Sequence, residues 1–159
     1  MPAIRSGRAA RGFTLIELMV VMVIIGITLG LVSVNAIPSA GQNLQNEARR
    51  IALLLQLARD EAIVRNRLVA FEADEAQYRF LVRNDTGWEP VTGDDLLRER
   101  SFKNAPVRLL LEPPGAGAGE RLRITFGREP VDRPFVLSLI SGEYRVGIRA
   151  DGIGHFVVE

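Results

Sequence analysis

The chain has 159 residues, 20 basic and 19 acidic side chains, one His and no Cys. Its length fits one domain with an appended segment, and 47% hydrophobic with 25% charged residues is the composition of a folded protein. The missing Cys excludes disulfides, thiolate metal sites and a cysteine nucleophile, the single His excludes a multi-histidine metal site, and a formal charge of +1 argues against a strongly electrostatic polyanion binder.

The averages hide an asymmetry. Residues 1–12 carry Arg5, Arg8 and Arg11 and no acid. Residues 13–34 are apolar apart from one charge, Glu17. As a helix this run would span about 33 Å at ~1.5 Å per residue, enough to cross a hydrocarbon core of ~30 Å. Arginines before it and no basic residue just after it predict a cytoplasmic N-terminus.

Three readings compete for this segment. Val34-Asn35-Ala36 loosely fits a signal-peptide cleavage site, but the apolar run exceeds the usual ~7–15 residues. A plain membrane anchor accounts for the length and leaves Glu17 unexplained, since a carboxylate deep in a bilayer costs roughly 2.5–3.5 kcal/mol. The third reading starts from Arg11-Gly12-Phe13-Thr14-Leu15-Ile16-Glu17. With the basic residues before it and the apolar helix after it, this resembles the class III signal of type IV pilins and type II secretion pseudopilins.

The resemblance implies cleavage between Gly12 and Phe13 by a prepilin peptidase, and methylation of the new amino group on Phe13. It implies that the apolar helix stays on the mature subunit as membrane anchor and filament core. The chemistry suits the spacing. Gly12 lets the scissile bond enter a narrow site, and Arg5, Arg8 and Arg11 hold the leader on the cytoplasmic face. Glu17, about one helical turn from the new amine, can accept the Phe13 nitrogen of a neighbouring subunit and so neutralise a buried charge.

Ile37-Pro38-Ser39-Ala40-Gly41-Gln42 interrupts the pattern, and Pro38 predicts either a kink or a break. Ser39 and Gln42 have capping-box spacing. A second helix is expected from about Gln42 to Asn66. Its stripe is Leu44, Ala48, Ile51, Leu55, Ala58 and Ala62, with Arg49, Arg50, Gln56, Arg59 and Asp60 largely elsewhere and Glu61 four residues from Arg65. The stripe reads as core contact with a sheet; its N-terminal end also suits a packing seam between filament subunits.

The period then changes to two. Leu68–Glu72 and Tyr78–Val82 predict a hairpin, and further strands are expected at Val107–Leu111, Arg121–Phe126, Phe135–Leu139, Tyr144–Ile148 and His155–Val158. Asp151-Gly152 marks the turn before the last of these. Thr86–Glu99 reads as a loop, with Asp94 and Asp95 as solvated helix-start acids rather than calcium ligands. The Gly-rich run from Pro113 to Gly119 lacks a phosphate-loop ending and reads as a flexible connection.

The fold class is α+β, a helix stripe covering an antiparallel sheet or small sandwich, and the resemblance makes it pilin-like. The expected organisation is a leader over 1–12, a transmembrane and filament-core helix over 13–36, an amphipathic helix over 37–66 and an antiparallel β domain over 67–159. No catalytic site, cofactor or metal is expected. His155 is the only imidazole and reads as a strand-edge or surface residue.

The segment Leu44–Ile63, the all-strand remainder and the closing Ile148–Gly154 resemble the general secretion pathway protein H family, minor pseudopilins of type II secretion. That family implies a structural subunit near the tip of a periplasmic pseudopilus that helps export folded exoproteins. Its implied partners are the I, J and K minor pseudopilins, the major pseudopilin, the prepilin peptidase and the inner-membrane assembly platform. The implied location is the bacterial inner membrane, single-pass, with the C-terminal domain in the periplasm. Glu17 does not suit the K subunit, and the number of strands does not suit the major pseudopilin. The alternative is a minor pilin of a type IV pilus. Some of those bind DNA, but the last basic residue here is Arg149 and no nucleic acid is expected.

Overall fold

The computed structural model describes residues 13–34, 39–114 and 121–159. The chain divides between Pro38 and Ser39 into two units. The choice between a kink and a break at Pro38 lies outside the described residues, as do most of the Gly-rich run and the whole leader.

The first unit holds helix α1, Leu15–Val34. Its Leu, Ile, Val and Met side chains stand exposed around its circumference as far as Leu29, the last one described. The polar Thr28 disturbs nothing, because its hydroxyl donates back to the Ile24 and Ile25 carbonyls at 2.8 and 3.0 Å.

The second unit opens with helix α2, Ala40–Val64. Ser39 caps it, its hydroxyl accepting the Gln42 amide at 3.2 Å, as the spacing predicted. The helix stops where Asn66 takes a left-handed φ of 52° and the Arg67 amide returns to the Ala62 carbonyl at 3.0 Å. Every residue of the expected stripe is buried, and Glu61 pairs with Arg65. Gly41 sits in the first turn because the Tyr144 ring presses on it; an added Cβ would lie 2.8 Å from that ring.

Nine strands follow among the described residues: β1 Val69–Ala73, β2 Gln77–Asn84, β3 Gly87–Pro90, β4 Arg100–Ser101, β5 Arg108–Glu112, β6 Leu122–Phe126, β7 Phe135–Ser141, β8 Tyr144–Ala150 and β9 Phe156–Val158. They form two antiparallel sheets. The first has the order β3-β2-β1-β6, with β4 also on β2; the second has the order β5-β7-β8-β9. Alternation aims Phe71, Tyr78, Phe80, Ile124 and Phe126 from the first sheet, and Leu137, Leu139 and Ile148 from the second, into one core beneath α2.

Two expectations need correction, and the burial of one arginine adds a third finding. Thr86–Glu99 is not all loop: Gly87–Pro90 pairs with β2, and Leu97 inserts into the core. No helix follows Asp94, whose carboxylate instead accepts the Leu96 amide at 2.7 Å in a local turn. Arg59 does not face solvent. It is 9% exposed, and its guanidinium donates to the Pro130 carbonyl and lies against Gly154, tying α2 to the loops beside β7 and β9.

Candidate assembly site

The expected site is the N-terminal end of α1. Gly12, Arg5, Arg8 and Arg11 lie outside the described residues. Phe13 is 73% exposed just ahead of the helix. Thr14 caps the helix: its carbonyl accepts the amides of Glu17 and Leu18 at 3.1 and 3.3 Å, and its hydroxyl accepts that of Glu17 at 3.3 Å. Glu17 therefore stands in the first turn, exposed, where the unpaired amides and the helix dipole favour a negative charge. Phe13 and Glu17 share this end of the helix, so an amine on one chain and a carboxylate on the next can be complementary. The cap was missed at the sequence level, although Thr14 and Glu17 have capping-box spacing.

The strand domain holds polar groups that the sequence did not single out. Glu47 of α2 is buried and accepts the Tyr78 hydroxyl at 2.9 Å. Burial, together with the Glu47 charge, pushes the Tyr78 hydroxyl well above its ordinary range. Glu72 is 4% exposed at the centre of the first sheet. Arg79 donates to it at 2.6 and 3.0 Å and Arg121 at 3.4 Å, while Arg123 grips its other oxygen through Nε at 3.1 Å and through Nη2. Burial alone would raise the Glu72 carboxyl; the hydrogen bonds from Arg123 and Arg79 and their charges outweigh it and hold the carboxyl below its ordinary value.

His155 is exposed just before β9, where its ring meets the Asp151 carboxylate at 2.6 Å. Partial desolvation would raise Asp151, but bonds from the His155 ring and from the Ile153 and His155 amides, with the His155 charge, bring its carboxyl to about 2, and the Gly154 amide also bonds it at 3.1 Å. This is turn chemistry at the predicted Asp151-Gly152 position, with Gly152 at φ 84°.

Two family matches cover separate parts of this arrangement. Residues 7–33 match the prokaryotic N-terminal methylation motif, and residues 47–152 match the type II transport protein GspH. The chain belongs to the GspH family. It is 35% identical over 143 residues to type II secretion system protein H of Pseudomonas aeruginosa, covering 86% of this chain and 79% of that one. The protein of the same name from Aeromonas hydrophila is 30% identical over 89 residues, covering 54% and 49%.

Among solved structures, the minor pseudopilin EpsH of the Vibrio cholerae type 2 secretion system is similar with a TM-score of 0.58 and 18% identity, over 74% of this chain and 96% of that one. The solution structure of Escherichia coli GspH gives 0.57 and 16%, over 76% and 91%. At these identities the two structures establish the pilin-like α+β fold. The GspH-family chain is a structural subunit rather than an enzyme.

Among the described residues no helix is long and apolar enough to cross a membrane. The side chains of α1 are described only to Leu29, and a full crossing rests on the sequence from Phe13 to Val34.

Proposed function

We infer that this chain is a minor pseudopilin of the type II secretion system, built into the periplasmic pseudopilus that helps export folded exoproteins. The observation that carries this reading is one chain holding the methylation motif over 7–33 and the GspH family match over 47–152. The second match also favours secretion over a type IV pilus, the alternative that the N-terminal segment leaves open.

The N-terminal chemistry follows from the motif. A prepilin peptidase cuts between Gly12 and Phe13 and methylates Phe13. Arg5, Arg8 and Arg11 keep the leader in the cytoplasm, residues 13–36 cross the inner membrane and the remainder stands in the periplasm. Removing three of 20 basic side chains leaves 17 against 19 acids, so the mature subunit is mildly acidic. The exposed Glu17 in the first turn of α1 supports its pairing with the Phe13 amine of a neighbour during assembly. The subunit sits near the tip with the I, J and K minor pseudopilins and the major pseudopilin, after insertion beside the inner-membrane assembly platform. In an oxidising periplasm a Cys-free domain is held together without disulfides.

Intact-mass and N-terminal peptide analysis of the chain from its native membrane tests the reading. A mature N-terminus at Phe13, one methyl group heavier, is expected. An intact Met1, or cleavage after Ala36, overturns it.

A further inference from the structure

The outer face of the first sheet, turned away from the core, concentrates positive charge on a chain whose mature form is mildly acidic. Register puts Glu72 of β1 beside Arg79 of β2 and Arg123 of β6, and Arg83 of β2 beside Trp88 of β3. Arg121 joins the same face through Glu72 and through Asp74 at 3.4 Å each. Four arginines thus stand against Glu72 and Asp74, with Glu99 at the rim 4.0 Å from Arg79.

Trp88 belongs to one edge strand and Arg123 to the other. Three strand spacings of ~4.8 Å separate those backbones by roughly 14 Å. Yet the Arg123 guanidinium carbon lies 5.5 Å from the indole centroid, and that of Arg83 lies 5.7 Å from it. The indole therefore reaches across the sheet, where Ala70 presents only a methyl group, and two cations bracket it within cation–π range. The side chains of Arg79, Arg121 and Arg123 remain 31%, 41% and 33% exposed. Arg83 makes no ion pair among the described residues.

We propose that this face docks an acidic, extended segment of another protein, its carboxylates taken by Arg83 and Arg121 and its chain lying over Trp88. Planar guanidinium groups bind carboxylates in a fork geometry, and Trp and Arg are both enriched among the residues that anchor protein interfaces. Glu72 holds Arg79 and Arg123 in place beforehand, which lowers the ordering cost of docking. A nucleic acid fits less well, because its closely spaced phosphates would meet Glu72 and Asp74 and find an excess of only two positive charges. A lipid surface fits less well too, because the indole lies along the sheet rather than projecting from it. The proposal holds whichever filament the subunit joins.

Trp88 is the only tryptophan, so its fluorescence reads this face alone. The full chain in bicelles of zwitterionic phospholipid would be titrated with a synthetic peptide alternating Glu and Gly, and with the same peptide carrying Gln for Glu. A saturable change with the Glu peptide only is expected. Its half-saturation should weaken about tenfold or more in Arg83→Glu and on raising salt from about 0.05 to 0.5 M. Arg83→Gln, which removes the charge without reversing it, should give a smaller loss in the same direction. Equal responses to both peptides, or parental binding by both Arg83 variants, overturn the proposal. So does a Trp88 response confined to bicelles containing anionic lipid or to an oligonucleotide.

Discussion

Replacing Glu72 by Gln keeps the shape of the side chain and removes the charge on which three arginines converge. Glu72 is 4% exposed and accepts from Arg79, Arg121 and Arg123. Breaking a fully buried ion pair costs about 3–5 kcal/mol. Here the arginine side chains are about one-third exposed and can turn towards water, which reduces the cost. A loss of about 2 kcal/mol follows, or a Tm lower by about 8 °C for a unit of this size.

The effect must depend on pH. The carboxyl is held below its unfolded value near 4.5, so the unfolded chain takes up the proton first as pH falls. The stabilisation is complete above the unfolded value and is lost as pH drops through the folded one. Circular-dichroism melts of the full chain in detergent at pH 7, and again at the lowest pH that leaves it folded, measure both quantities. The gap between parent and variant should be wide at pH 7 and should narrow in acid. A variant melting within about 2 °C of the parent at pH 7, or an undiminished gap in acid, refutes the reasoning.

Leu55→Ala empties a fully buried position on α2 and should cost about 3 kcal/mol in chemical denaturation; a loss under about 1 kcal/mol would remove the stripe from the core. Gly152→Ala forces an L side chain into φ 84° and its Cβ to 2.4 Å from the Asp132 carbonyl, so stability should fall by about 2 kcal/mol or more, read by melting. Glu17→Val should leave processing at Phe13 intact while incorporation drops about tenfold or more in sheared-filament immunoblots. Normal assembly of that variant would remove the carboxylate–amine pairing.

Much of the local structure was legible because each element carries its own signal. The 3.6-residue stripe marked α2, and alternation marked the hairpin of β1 and β2 and the strands from β5 to β9 to within a few residues. Ser39 and Asp151-Gly152 announced a cap and a turn through hydrogen bonds a few residues long. β3 escaped because Gly87-Trp-Glu-Pro90 has no alternation and ends in Pro, which is tolerated on an edge strand. The burial of Arg59 was not legible because it is imposed by Pro130 and Gly154, distant in sequence. The Thr14 cap was readable from spacing but was overshadowed by the apolar run.

The near-neutral total charge conceals two opposite patterns, and they became visible at different levels. The sequence by itself determined the basic N-terminal segment, the single Glu17 in an apolar run, the methylation motif and the order of the helix and most of the strands, because each rests on neighbours within one or two turns of chain. Only the tertiary structure decided that β5 pairs with β7, that β6 joins β1, and that Glu72 gathers Arg121 and Arg123, the latter beside Trp88. Those contacts close loops of tens of residues. Their partners are chosen by which faces of the sheets must be buried under α2, and no local pattern encodes that choice.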